Sequence, residues 1–367
     1  GDKKNIDVVK RGNGKVLSAR LKDATFFYGE DQKKKIEFFC EKSKNVIFFP
    51  HRGTQSQRVQ RISLLSKFIS EKLNLTLKKK KIVEKISQLS KFDLETLMVQ
   101  EFPKLQGYMG GIYASLKNES ADVCRGICEH YFPRHANDNL PQDLETVVVS
   151  IADKFDLLCT AFSLNLKPSG ATDPFALRRA AQGLIQLILE LRLTLDPNDI
   201  ISKGLFLLKK QQSLDFDNTN IKGELLNFLL KRQQRYLQEK GFRIDLIEAV
   251  LRNKSENYSY DYEKINLVIP VKQLEFIELL SNHLETKIFK RSVESIVRAE
   301  KICKKYPQKI SKSIKYSDLL LVEEKNFFNI LKPIINSKKN LCWNAKNYLD
   351  QFLLIEPVVT SFFENVL

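Results

Sequence analysis

Residues 54–73 read TQSQRVQRISLLSKFISEKL. Val59, Ile62, Leu65, Phe68, Ile69 and Leu73 recur at i, i+3 and i+4, which marks one apolar face of an α-helix. Such a face is stable only against a partner. The next helical pattern, about 80–100, supplies one with Ile82, Ile86, Leu89, Leu94, Leu97 and Met98 turned inward. Pro103 and the glycines at 107, 110 and 111 then break the period. Further helices fit 121–131 and 143–162, and FPRHANDNLP (132–141) and NLKPSGATDP (165–174) are loops by composition. Asp173-Pro174 opens a helix over 175–193, because Asp accepts from free N–H groups and Pro suits a first turn. Asp196-Pro197 starts another, and 223–239, which stops at Gly241, and 244–251 follow. Residues 253–261 are polar and Tyr-rich, a linker pattern, and 271–305 is helical with a break near 281–282.

Upstream of this run, 24–28 and 46–49 read as short extended segments around a charged helical stretch, 29–44. The fold class expected is therefore mainly α: a multi-domain helical protein with a small α/β N-terminal segment. A chain of 367 residues exceeds one compact core and suggests two or three domains. With 43% hydrophobic and 28% charged residues it is globular rather than disordered. No apolar run nears the roughly 20 residues of a membrane span, so no membrane partner is expected. Six scattered cysteines without a CxxC pair argue against a disulfide scaffold or zinc finger and fit a reducing, cytoplasmic setting. The opening GDKKNIDVVK has neither initiator Met nor apolar signal and reads as a piece of a longer polypeptide.

Charge is uneven. Residues 1–92 carry 23 basic and 9 acidic side chains, 93–200 carry 9 and 15, and 201–367 carry 28 and 20, for a net +16. That layout suits a polyanion met at two separated places; a lysine-rich solvated surface is the plainer reading.

Four features fall in order between 55 and 156: Gln55 opening the first helix, Lys91-Phe92-Asp93 inside the second, His130 and His135 flanking a loop, and IADKFD (151–156) in a late helix. The layout resembles the HD phosphohydrolase superfamily, which implies a first-helix His at 55, a His-Asp pair at 92–93 and a last ligand at Asp153. Here those positions hold Gln55, Phe92, Asp93 and Asp153. An amide is a poor transition-metal ligand, a phenyl ring is none, and two carboxylates do not make such a hydrolytic site. His130 and His135, five residues apart at a loop, are not presented on one helical face. The expectation is a degenerate HD site with no metal and no catalytic residue, its two aspartates bracing helices.

A narrower resemblance rests on GNGKVLSARLKDATFF (12–27), KFDLETLMVQEFPKLQGYMGGIYA (91–114), EHYFPRHANDNLP (129–141), IADKFDLL (151–158) and LKPSGATDPFALRRAAQGLIQLI (166–188). In this order they are similar to the β subunit, or the β part of an α–β fusion, of bacterial-type glycyl-tRNA synthetase. The likeness is strong through 193 and weaker beyond. It implies a holoenzyme that joins glycine to tRNA(Gly) with ATP and Mg²⁺, both used in an α subunit or domain that holds the catalytic site. The β part grips the tRNA. By this resemblance 1–50 is an α/β segment continuing from an upstream region, 51–170 a degenerate HD-like domain, 171–265 a helical body, and 270–367 an anticodon-binding-like helical domain. This stretch alone binds no cofactor and is catalytically inactive. The rival readings are an HD-type phosphohydrolase with rearranged ligands and a non-catalytic helical scaffold.

Three groups are RNA-binding candidates. Lys78, Lys79, Lys80 and Lys81 begin a helix whose dipole they oppose, so either an anionic partner or plain solvation accounts for them. Arg178 and Arg179 point about 100° apart on a helix and either meet RNA backbone or pair with an acid such as Asp156 or Asp173. Lys287, Lys290, Arg291, Arg298 and Lys301 form one stripe, edged by Leu284, Ile288, Val293, Ile296, Val297 and Ile302. It is either a phosphate tether or a surface helix whose long stems cover apolar ground. Tyr306, Tyr316, Trp343 and Tyr348 are available to stack bases or to fill a core. Gly107, Gly110 and Gly111 do not match a phosphate loop and point to a turn or close helix packing. Cys124 and Cys128, at i and i+4, read as buried thiols.

Overall fold

A computed structural model describes residues 6–168, 170, 172–212, 216–251, 269–305, 315–337 and 345–365. The predicted linker at 253–261, Tyr306 and Trp343 lie outside the described residues, as does the side chain of Tyr348. The described chain forms helices α1 (Ile6–Gln32), α2 (Ile36–Lys42), α3 (Gln55–Lys72), α4 (Leu77–Leu89), α5 (Leu97–Glu101), α6 (Tyr108–Leu116), α7 (Ala121–Glu129), α8 (Leu144–Ser163), α9 (Leu177–Glu190), α10 (Pro197–Gln212), α11 (Asn218–Glu239), α12 (Ile244–Leu251), α13 (Pro270–His283), α14 (Lys287–Lys305), α15 (Val322–Ser337) and α16 (Ala345–Asn365). It divides into two compact units, Gly1–Gln233 and Gln234–Leu367, the division falling within α11.

The first unit is built around α8. Only Leu144, Leu157 and Ser163 of its twenty residues escape burial. A helix that is apolar nearly all round must be enclosed, and α3, α4, α7, α9 and α10 all pack on it. Helix α3 begins as its sequence dictates. Thr54 accepts from the Gln57 N–H, the Gln57 side chain accepts from the Thr54 N–H, and the apolar face then runs through Ile62, Leu65 and Ile69, all fully buried. Helix α9 begins at Leu177 rather than 175. Asp173 still supplies the cap, its carboxylate accepting from the N–H groups of Leu177 at 2.8 Å and Arg178 at 2.9 Å. In the second unit α12 packs on α13, and α13, α14 and α15 all pack on α16. Gly241 follows α11 at φ +90°, the left-handed turn predicted there.

Two expectations are corrected. The N-terminal segment is not α/β: residues 24–28 lie inside α1, and 46–49 contributes only one isolated bridge, Ile47 to Thr54. Among the described residues there is no strand. Tertiary contact overrides the β-leaning run Thr25–Tyr28. Tyr28 stacks on Tyr113, and Asp31, one turn further, accepts from the N–H groups of Leu97 and Met98 and from the Tyr113 hydroxyl. Helical phase is what brings both to α5 and α6.

The second correction concerns 80–100, which is not one helix. It stops at Leu89, passes through a 3₁₀ turn at Phe92–Glu95, and restarts as α5. Ser90 Oγ donates back to the Ser87 carbonyl, and Thr96 Oγ accepts from the Val99 N–H as the cap of α5. Hydroxyls that compete for backbone groups end helices in this way. Lys91-Phe92-Asp93 therefore sits on a tight turn and not on a helix face.

Candidate functional site

Arg58 and Arg61 occupy the apolar face of α3, and Asp153 and Asp156 lie on α8; all four are buried. The two pairs share the i, i+3 spacing and match in order. Arg58 Nη2 donates to Asp153 Oδ1 at 2.8 Å. Arg61 grips Asp156 through Nε at 2.6 Å and Nη2 at 3.1 Å. Arg61 Nη1 also donates to Gln211 on α10 at 2.7 Å, so three helices meet at one guanidinium. The face of the Phe48 ring covers Arg58, 4.0 Å from its guanidinium carbon. These are charge-assisted, planar contacts that only Arg supplies.

Lys91 completes the cluster. It is only 2% exposed. Its Nζ donates to Asp153 Oδ2 at 2.8 Å and to His130 Nε2 at 2.9 Å, and lies 3.8 Å from the centroid of the Tyr131 ring. His130, at the C-terminal cap of α7, directs Nδ1–H to the Ile127 carbonyl at 2.7 Å, which leaves Nε2 as the acceptor. Burial and the neighbouring Lys91 hold the His130 imidazole well below its ordinary pKa, in the neutral form this geometry needs. Burial pushes the Lys91 ammonium down to about 8, with Asp153 opposing that shift. Burial would raise the Asp153 carboxyl, but Lys91 and Arg58 together hold it below the usual carboxylate range. At neutral pH the cluster is an ionised pair capped by a neutral imidazole.

Asp93 is fully buried, and its Oδ2 accepts from the Gly107 N–H at 2.6 Å. Burial raises its carboxyl to about 6. Phe92 turns into the apolar core against Phe39 of α2, ring centroids 6.4 Å apart. Gln55 opens α3 with its Oε1 buried and without a hydrogen-bond partner. The donor set does not fit a divalent metal. One expected ligand is a packed phenyl ring, another is an amide, and both oxygens of Asp153 are taken by the chain's own cations. Among the described residues no three His, Cys, Asp or Glu side chains gather as metal ligands. Nothing in the cluster pairs an activated nucleophile with a base, and its charges face one another rather than solvent.

The candidates for RNA contact lie elsewhere, and the structure divides them. Lys79 pairs with Glu145 at 3.2 Å, Arg178 donates to the Gly170 carbonyl at 2.7 Å, Lys290 pairs with Glu285 at 2.6 Å, and Arg298 lies over the Phe363 ring at 4.6 Å. Lys78, Lys81, Arg179, Lys287, Arg291 and Lys301 are exposed, and Lys80 is half-buried. Asp156 and Asp173, the acids considered for Arg178 and Arg179, are engaged by Arg61 and by backbone N–H groups of α9. Sequence reasoning assigns no role to Arg58 or Arg61 and names Lys91 only as the neighbour of Phe92 and Asp93. The signal was present: two Arg at i, i+3 on an apolar face, matched by two Asp at the same spacing ninety-five residues later.

Residues 1–252 match the family model described as glycyl-tRNA synthetase beta subunit. This chain belongs to that family. It is 34% identical over 311 residues to the glycine–tRNA ligase beta subunit of Halalkalibacterium halodurans, covering 85% of this chain and 43% of the relative. It is 41% identical over 255 residues to that of Desulfitobacterium hafniense, covering 70% and 37%. With that of Oceanobacillus iheyensis the identity is 34% over 367 residues, covering 100% and 51%. The chain thus spans between 37% and 51% of the length of these curated relatives. As a glycyl-tRNA synthetase beta-family chain it carries the ion-pair cluster within the matched region, and α13–α16 beyond it. No helix among the described residues is long and apolar enough to cross a membrane.

Proposed function

We propose that the chain is the tRNA-gripping part of the β polypeptide of a cytoplasmic glycyl-tRNA synthetase. In this reading ATP, Mg²⁺ and glycine are used in a separate α part, and this chain supports the ligation by holding tRNA(Gly). The observation that carries the reading is the family match over residues 1–252, the stretch that contains the ion-pair cluster. The chemistry of the cluster supports it, because Asp153 is neutralised by Lys91 and Arg58 and Asp156 by Arg61. Such carboxylates brace a scaffold; neither is placed to hold an ion or take a proton. We assign 51–170 as the degenerate HD-like part, 171–265 as the body and 270–367 as the anticodon-facing part. Lys78, Lys80, Lys81, Arg179, Lys287, Arg291 and Lys301 are the phosphate contacts, being unburied cations on both units. Lys79, Arg178, Lys290 and Arg298 support them from intramolecular contacts. The rival phosphohydrolase reading is disfavoured by the occupied oxygens of Asp153.

The test is a gel shift of the chain with tRNA(Gly) and with an unrelated tRNA across salt. Seven phosphate contacts give a log–log slope of roughly −6. A salt-independent affinity, or equal affinity for both RNAs, contradicts the reading, and so does turnover of a phosphate ester by the purified chain.

A further inference from the structure

The pocket around Lys91 has the make-up of a cation site, and its cation is covalently part of the chain. Nζ carries three N–H bonds. Asp153 Oδ2 and His130 Nε2 accept at 2.8 and 2.9 Å, and the Tyr131 ring face lies 3.8 Å away. Two more oxygens on residues flanking this ammonium, Asp93 Oδ1 and Tyr131 Oη, are buried without hydrogen-bond partners. Asp93 adds its negative charge to the surroundings of Lys91. The groups that meet Nζ come from two separate places, Asp153 from α8 and His130 with Tyr131 from the end of α7, while Lys91 itself stands with Asp93 on the turn after α4. An imidazole lone pair, one carboxylate oxygen and an aromatic face suit an ammonium, which offers directed N–H bonds to each. They do not suit a hard divalent ion, which wants several oxygens, or a transition metal, which gains nothing from a ring face. Layout alone would suggest a metal here; the donor set does not.

We propose that Lys91 is the resident cation of this pocket, clamping α7 and α8 to the turn after α4, and that the pocket relieved of the lysine side chain binds a primary alkylammonium ion. The inference goes beyond the tRNA-gripping role, since neither tRNA nor glycine enters it, and either can fail without the other.

The test uses the whole 367-residue chain carrying Lys91→Ala, melted in sodium chloride and in ethylammonium or propylammonium chloride at equal ionic strength. Removing one partner of a buried ion pair lowers Tm by about 10 °C in sodium chloride. Alkylammonium at tenfold its Kd then raises Tm of the variant by about 3 °C. Tetramethylammonium, which has no N–H, leaves it unchanged. Wild type does not respond, and neither does Lys91→Ala with Asp153→Asn, which lacks the anchoring charge. If Lys91→Ala does not melt cooperatively, the same salts are compared by its refolding yield from urea, with the same ranking expected. The proposal is overturned by an absence of any primary-amine response, by an equal response in wild type, or by a response of the variant to Mn²⁺ or Zn²⁺ in place of the amine.

Discussion

Arg61 is the largest side chain in the fully buried set, at 1% exposure, and it joins α3 to both α8 and α10. Arg61→Ala leaves Asp156 charged in the core without a hydrogen-bonded cation, its nearest remaining one being Arg58 Nε at 3.9 Å, and should cost about 3 kcal/mol in urea unfolding. Arg61→Lys should recover little, because an ammonium does not reproduce the two-pronged grip. Asp93 gives a pH signature. Its carboxyl is raised to about 6 by burial, above its unfolded value near 3.9. The contribution is present below about pH 4 and is lost as pH rises through about 6, since the folded state holds the proton more tightly. Asp93→Asn keeps an acceptor for the Gly107 N–H and carries no charge. The variant's stability relative to wild type should therefore improve by about 2–3 kcal/mol between pH 4 and pH 7, measured from urea midpoints at both. Asp153 runs the other way: its carboxyl is held down, so its stabilisation is present above about pH 4 and fades as pH falls. An unchanged difference for Asp93→Asn would mean that the carboxyl is ionised at no extra cost.

At the scale of elements, the glycines at 107–111 act as the spacing suggested, by geometry rather than by phosphate binding. Gly107 caps α6 at φ +82°, and a Cβ there would lie 2.8 Å from the Cys128 carbonyl. A Cβ on Gly111 would meet the Cys124 carbonyl at 2.8 Å, so α6 and α7 pack at backbone distance. Backbone does not yield as a flexible side chain does, and Gly111→Ala should destabilise by about 1–3 kcal/mol, checked by thermal unfolding. Cys124 and Cys128 line this contact half-buried, less enclosed than the sequence suggested. Asp31 shows how one element places another. Its carboxylate meets the free N–H groups at the start of α5, where the helix dipole favours negative charge. Asp31→Ala should lower Tm and raise hydrogen exchange at Leu97 and Met98, while the α3–α8 contact keeps its protection. Periodicity places 97–101 in a helical stretch, but neither α1 nor its pairing with α5 was legible, because 24–28 leans to β and a buried Asp reads in sequence as one more surface charge.

Over the whole molecule, exposed cations lie on two compact units, with Lys78 and Lys81 on α4 in one and Lys287, Arg291 and Lys301 on α14 in the other. If both units touch one RNA, Lys287→Glu with Arg291→Glu and Lys301→Glu should weaken tRNA(Gly) binding at least tenfold and flatten the salt slope by about one unit per lost contact. Lys290→Ala, whose side chain is held by Glu285, should change the slope less. An equal slope change per substituted residue would remove the distinction between Lys290, exposed but paired with Glu285, and the other three cations. The helical class, the main helix starts and the family resemblance were determined by the sequence itself, because apolar period, capping residues and long shared strings are local properties of the chain. The break after Leu89, the helical course of 24–28 and the identity of the cation beside Asp153 were decided only in three dimensions. A lysine between a serine and a phenylalanine carries no mark of burial. It becomes the partner of Asp153 only because α8 and the end of α7 close over it, leaving an ammonium as the one positive charge placed to satisfy both an aspartate and a histidine.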